Sequence, residues 1–419
     1  MKKSAYPVVI IGAGTAGVTV AAQLKRKDRN LEVAIIDPSD THYYQPAWTL
    51  VAAGTFNYAN TARPMSSVIP KGVDWIKEKV ADIQPDQNQV ILENGDKITY
   101  EYLVAAPGIK IDPTLIPGLA ETMDKNGVCS IYTNPKKVWE YLQAFKGGNA
   151  LFTQPATPIK CGGAPQKIMY LSDDYFRKTG VRDKTNIIFA TPGTIIFGTP
   201  EFAKTLMEVV DRKHIQLRFF HQLIRVDGPN KKAYYKITAN ADNPAKLYHN
   251  EFDFGQKLIS ETEVEIPFDL MHLAPPQSAP DFFRKTKLAN QAGWANVDIH
   301  TLQHKEYANV FALGDVADLP TAKTGAAVRK QAPVVVENIM RLRASQKQMS
   351  DAYTGYSSCP LVTGYGKMLL AEFGYENKRM SDPMISRFVD TTKEQYSMWI
   401  LKKYGLPFMY WNLMLKGLA

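Results

Sequence analysis

With 419 residues, 45% of them hydrophobic and 22% charged, the chain can form two or three domains with a large core, which excludes a disordered or repeat-built protein. A formal charge of +9, from 50 Lys+Arg against 41 Asp+Glu, favours nucleic acid or an acidic membrane surface, but no recognised nucleic-acid module is present. Cys129, Cys161 and Cys359 are too few and too scattered for a secreted disulfide scaffold, and their spacing to the histidines makes no zinc site. The start of the chain lacks the pattern of a signal peptide, and no apolar run is long enough for a transmembrane helix.

Taken in order, Val8–Ile11 is predicted as a buried strand leading into Gly12-Ala13-Gly14-Thr15-Ala16-Gly17, with a helix over Val18–Lys27. Glycines at 12, 14 and 17 give a tight turn, a close approach to pyrophosphate and close helix packing, with phosphate at the helix N-terminus. The next strand, Glu32–Asp37, ends in an acid placed to bond ribose hydroxyls, so the expected ligand is an adenine dinucleotide. The loop His42–Trp48 is aromatic and carries Gln45 and Pro46, and can lie along a flat ring; it can equally be ordinary packing. Val73–Val80 is predicted as one strand, with the adenine edge near the backbone of Val80, and Tyr100–Ala106 as another that closes on Pro107-Gly108.

Asn149–Thr153 is predicted as a buried strand entering Lys160-Cys161-Gly162-Gly163-Ala164-Pro165. In a protein with two dinucleotide-binding folds, a second glycine loop cradling a nicotinamide cofactor would stand here. A thiol and two prolines, Pro155 and Pro158, replace it, which suggests that electrons enter through sulfur. The residues alone leave Cys161 as either that redox thiol or a buried structural one. Asn186–Phe189 and Leu258–Met271 supply strands for a second domain. Asn309–Asp315 reads as a strand ending in Gly314-Asp315, followed by Lys323 and by Gly325-Ala326-Ala327-Val328 opening a helix. That acid suits a ribityl chain, and the helix N-terminus suits an anionic reduced flavin. Cys359 is read as lying at a turn, and Cys129 as structural or accessory. The tail from Lys393 is basic and aromatic, and Gly405 and Pro407 are expected to split it into two short amphipathic pieces that lie in a membrane interface with lysines at the headgroups.

The blocks His42-Tyr-Tyr-Gln-Pro-Ala-Trp-Thr-Leu50, Pro158–Leu171, Tyr175–Gly180, Met271–Pro276, Ser358–Tyr365 and Pro407–Asn412 resemble the sulfide:quinone oxidoreductases, the mitochondrial-like branch most closely, over nearly the whole chain. The resemblance implies an α/β fold of two Rossmann-like domains, as in glutathione-reductase-like flavoproteins, with a C-terminal amphipathic helical membrane-binding segment. The FAD domain is expected at 1–110 and 300–345, a second domain lacking an NAD fingerprint at 111–299, and a C-terminal region at 346–419.

It further implies FAD held by the glycine loops, Asp37, Gln45, Val80, Gly108 and the Gly314–Val328 segment, with Cys161 and Cys359 as the redox pair. Hydrogen sulfide would attack Cys359 and leave a persulfide there, with Lys160 and Lys167 favouring the Cys161 thiolate. Electrons would pass to ubiquinone or another membrane quinone, and sulfane sulfur to sulfite, a thiol or sulfide. The chain would sit peripherally on a bacterial plasma membrane or a mitochondrial inner membrane, with a homo-oligomer left open. The alternatives are a flavocytochrome-type sulfide dehydrogenase and an NADH:quinone oxidoreductase.

Overall fold

The computed structural model describes residues 3–239 and 247–419. Ala5–Ile11 lies at the centre of a seven-stranded sheet, parallel to Val33–Ile36 on one side and Lys97–Ala105 on the other. Val8, Val9 and Ile10 are fully buried, and a strand with no polar face needs cover on both sides of its sheet. The helices Thr15–Lys27 and Gly325–Arg343 cover one face through Val18, Leu24, Val335 and Ile339. Ala279, Phe283, Trp294 and Val297 cover the other, packed against Val9 and Ile11.

The stretch Val73–Val80 is not one strand. Val73–Ile76 pairs parallel with Val33–Ile36, while Val80–Gln84 starts a separate strand antiparallel to Gln89–Leu92. Glu78 N–H turns back to Ile76 O between them, where three charged residues interrupt the apolar pattern.

A second, six-stranded sheet has Gly148–Thr153 between Leu270–Leu273 and Thr185–Ala190, all parallel. The segment expected to give strands over 258–271 is divided. Lys257–Ser260 and Glu263–Pro267 join a separate four-stranded antiparallel sheet, and only Leu270–Leu273 enters the second parallel one. Ala164–Lys178 is the helix that follows Gly148–Thr153, and near its far end the buried Asp173 carboxylate pairs with Arg177, Arg182 and Lys213. A buried carboxylate is tolerable only when so compensated, and this one fixes the helix against its neighbours.

The C-terminal region begins with the hairpin Ser357–Gly364 and Lys367–Phe373. Cys359 therefore lies in a strand, opposite Ala371, and not at a turn. The tail is also continuous. Tyr396–Ile400, a π-helical turn Leu401–Gly405 and Leu406–Asn412 follow one another, with Gly405 itself helical at φ −67°. The widened turn accommodates Pro407, whose missing N–H would otherwise break the ladder. Among the described residues no helix is long and apolar enough to cross a membrane.

Candidate active site

Cys161 stands just before the helix Ala164–Lys178, where unpaired N–H groups and the helix dipole favour a thiolate. Its own φ is +52°, a left-handed conformation that a residue with a β-carbon adopts only when held there. The hold is visible: Cys161 N–H donates to Lys323 O at 2.7 Å, Ala164 N–H donates to Cys161 O at 2.8 Å, and Tyr132 O–H donates to the same carbonyl at 3.2 Å.

The strand carrying Cys359 packs on this helix, and both cysteines are free thiols. The glycine between them has a reason the sequence did not reveal. A β-carbon on Gly163 would lie 2.6 Å from both Cys359 Sγ and Leu361 Cδ2, so Gly163 makes room for the second sulfur. Gly162, by contrast, faces open space.

One ammonium serves both sulfurs. Lys167 Nζ is 3.0 Å from Cys161 Sγ and 3.8 Å from Cys359 Sγ, and the residue is buried. The hydrogen bond from Cys359, with the charges of Lys167 and Lys402 added, holds the Cys161 thiol well below its ordinary pKa against the effect of burial. The same bond, together with burial, pushes Cys359 up. The pair is thus asymmetric, with Cys161 the more acidic thiol.

Lys402 is the residue that sequence reasoning misassigned. It was expected among the headgroup lysines, but it is 2% exposed and donates to Pro46 O at 2.8 Å beside the sulfurs. Burial first, and the neighbouring Lys167 charge second, lower its pKa to about 7. A signal existed: Lys402 falls on the helical stripe of Met398, Trp399 and Tyr410, which are all buried. Lys160, the other lysine expected to act on Cys161, instead bonds Gln45 Oε1. Cys129 is fully buried with its S–H toward Met271 O at 3.6 Å, and burial raises its pKa out of reactive range.

The glycine-bearing segments expected to hold a dinucleotide lie next to one another. A β-carbon on Gly12 would strike Ala106 O, and one on Gly17 would strike Gly12 O, so these two glycines permit close packing. Gly14, Gly108, Gly162 and Gly325 come from four segments, and at each a β-carbon would meet nothing within 4 Å. Their convergence follows from neighbours: Gly12 abuts Ala106, Gly314 abuts Ala16, and Cys161 bonds Lys323. Open space bordered by backbone at the carboxyl ends of parallel strands fits a dinucleotide.

Asp37 Oδ2 accepts from Ala13 N–H at 2.7 Å, which turns the acid toward the loop. Burial raises the pKa of Asp315, opposed by the charges of Lys160 and Lys323 and with no hydrogen bond contributing, so this carboxylate is available to a hydroxyl-bearing ligand. Thr324 caps the helix Gly325–Arg343 by accepting from Ala327 N–H at 3.1 Å; Ala327 and Val328 are buried and Ala326 is half-buried. Val80 is enclosed in the sheet core, leaving only its backbone to a ligand, and Lys323 sends its side chain to Ala317 O and over the Trp294 ring.

Comparison with known proteins agrees with this construction. The family described as pyridine nucleotide-disulphide oxidoreductase matches residues 6–139. The chain is 42% identical to the mitochondrial sulfide:quinone oxidoreductase of Mus musculus over 417 residues, covering 99% of this chain and 87% of that protein. It is 38% identical to the Dictyostelium discoideum protein of the same description, again over 99% of this chain and 87% of the relative. Its fold matches the crystal structure of the sulfide:quinone oxidoreductase from Aquifex aeolicus with a TM-score of 0.79 at 18% identity, covering 98% of this chain and 92% of that one. Paired thiols under a shared ammonium and this degree of identity over almost the whole chain lead to one conclusion: the chain belongs to the sulfide:quinone oxidoreductase family.

Proposed function

We propose that this enzyme oxidises hydrogen sulfide at the Cys161–Cys359 pair and delivers two electrons through FAD to a membrane quinone. The observation that carries the reading is the Lys167 ammonium within reach of both sulfurs, with Cys161 the more acidic of the two. In the oxidised enzyme the two sulfurs form a disulfide. Hydrosulfide attacks Cys359 Sγ, the S–S bond breaks, Cys359 keeps the new sulfur as a persulfide, and Cys161 departs as the thiolate. A disulfide is cleaved faster when the sulfur that leaves has the lower pKa, so the asymmetry of the pair selects Cys359 as the sulfur attacked.

Lys167 and Lys402 hold the negative charge that hydrosulfide brings in, at a depth where it is poorly screened by water. An acceptor such as sulfite, a thiol or a second sulfide attacks the outer sulfur of the persulfide and leaves Cys359 as a thiol. The pair then returns to the disulfide by giving up two electrons and the one proton of Cys359, since Cys161 is already a thiolate. Bound FAD would accept those electrons as a pair and hand them on to the quinone. Gly12, Ala13, Gly14, Ala16, Gly17 and Asp37 would hold its adenine half with the Val80 backbone, and Gln45, Gly108, Gly314, Asp315, Lys323 and Gly325–Val328 would border its ring half. Gly162 leaves the approach of that ring to Cys161 free.

The domain division proposed is the expected one, with 279–299 assigned to the FAD domain because Phe283, Trp294 and Val297 pack on its sheet. Tyr396, Ile400, Tyr404 and Phe408 recur every fourth residue on the solvent side of the tail, with exposures of 67%, 38%, 59% and 61%. Such a stripe supports peripheral attachment to a bacterial plasma membrane or a mitochondrial inner membrane, where the quinone is dissolved.

The test is the visible spectrum of the purified protein. Sulfide should bleach the flavin band, a short-chain quinone should restore it, and NADH should do neither. A band indifferent to sulfide, or bleached rapidly by NADH, would sink the reading.

A further inference from the structure

The C-terminal tail is wired into the dinucleotide loop at the opposite end of the sequence. Tyr410 Oη lies 2.8 Å from Thr15 Oγ1 and 2.6 Å from His42 Nε2, and His42 Nδ1 lies 3.0 Å from Ala13 O. A carbonyl can only accept, so His42 Nδ1 carries its proton and donates to Ala13. Burial lowers the pKa of His42, which leaves Nε2 as the bare acceptor of the neutral ring. Tyr410 then spends its one proton on His42, and Thr15 O–H must donate to Tyr410. The hydrogen bonds run in one direction, from Thr15 through Tyr410 and His42 to Ala13.

Both ends of that chain sit in Gly12–Gly17. Ala13 is gripped on each side, its N–H by Asp37 Oδ2 at 2.7 Å and its C=O by His42. They adjoin the N-terminus of the helix at Thr15, whose free N–H groups are the kind that bind a pyrophosphate. Tyr410 is itself buried, its ring centre 4.6 Å from that of Tyr44 and tilted 45° to it, with Trp411 beside it under Arg63.

We propose that Tyr410 is a positioning residue for the dinucleotide loop, so that docking of the C-terminal helix and retention of the cofactor reinforce each other. The inference rests on the flavin reading above. If the loop binds more tightly when the tail is docked, the tail must dock more tightly when the loop is filled, because such coupling is reciprocal.

The test uses full-length holoprotein and two readouts. Flavin release is followed by fluorescence after dilution, and tail docking by chymotrypsin cleavage at Tyr404 and Phe408. Tyr410→Phe keeps the ring but strands His42 Nε2, a loss worth about a tenfold faster flavin release. Phe408→Ala, on the exposed face of the same helix, should release flavin at the wild-type rate. Stripping flavin from the wild type should speed tail cleavage. Thr15→Val, which alters only the loop end of the chain, should speed it too, and this arm stands even if Tyr410→Phe fails to fold. Equal flavin release from Tyr410→Phe and wild type, or tail cleavage indifferent to flavin and to Thr15→Val, would overturn the coupling. A protein purified without any flavin absorbance would instead overturn the reading of the cleft, and the coupling with it.

Discussion

Gly163 and Cys359 compete for the same space: the position of a β-carbon on the glycine is 2.6 Å from the cysteine sulfur. Leu361 Cδ2 lies at the same distance, so an added methyl group must push both side chains aside. Gly163→Ala should therefore fold with a loss of about 1–3 kcal/mol, as overpacked cores do. Displacing the sulfur from Lys167 should slow sulfide-driven flavin reduction about ten- to a hundredfold, since small misplacements of reacting atoms are costly. Stopped-flow bleaching of the holoprotein measures the second effect and a denaturant midpoint the first. Wild-type bleaching by the alanine variant would show that Cys359 does not need its present position.

The Cys161 thiol owes its acidity to Cys359 and Lys167, and alkylation can read that directly. In the reduced enzyme, iodoacetamide should modify Cys161 with a pH midpoint below the ordinary thiol value of about 8.5, while Cys129 and Cys359 resist. Lys167→Met removes the ammonium 3.0 Å from the sulfur and should move that midpoint up by about one unit or more. Mass spectrometry of the alkylated peptides separates the three cysteines. An unchanged midpoint would deny Lys167 its role.

What could be read from the sequence was whatever is encoded locally. The Gly12–Gly17 loop with Asp37 after it, and Cys161 in place of a second glycine loop, depend on spacing within a strand, turn and helix, and the structure has them as expected. Cys359 reached the site through a family likeness, because nothing around residue 359 says that its strand packs on the helix after Cys161. The charge of Lys402 points to solvent, and only its position on the buried stripe with Met398 and Trp399 points inward. Gly405 and Pro407 predict a break, because residue preference does not foresee a π-helical turn. Tyr410 reads as part of the membrane-facing tail, since the residues that hold it lie 395 positions away at Thr15 and 368 away at His42.

The exposed stripe on the tail predicts a separation of the two half-reactions. Tyr404→Glu with Phe408→Glu places two charges on the face proposed to enter lipid, leaving Trp399, Lys402 and Tyr410 on the buried side untouched. This double variant should no longer float with anionic vesicles, whereas the wild type should. Sulfide should still bleach its flavin at the wild-type rate, while reoxidation by a vesicle-borne quinone slows. Flotation equal to wild type would remove the tail from the membrane contact.

Lys402 gives a pH dependence whose sign can be worked out. In the folded protein its ammonium is lost as the pH rises through about 7, because burial and the Lys167 charge oppose it. An unfolded lysine keeps its proton to about 10.4. Between those values the unfolded chain binds the extra proton, so Lys402 makes stability increase with pH, by about 1.4 kcal/mol per unit at most. Below about pH 7 both states are protonated and the cost of burying the charge is fully present. Lys402→Met has no proton to lose, so it should gain stability over wild type near neutral pH and lose that advantage as the pH approaches 10. Urea midpoints of the two proteins, compared at pH 7 and 9, measure the difference. The same variant should forfeit activity where the charge is useful: its rate of flavin reduction per hydrosulfide anion should no longer fall as the pH rises through 7. A stability gap that does not narrow with pH would mean that Lys402 stays charged in the folded enzyme throughout this range.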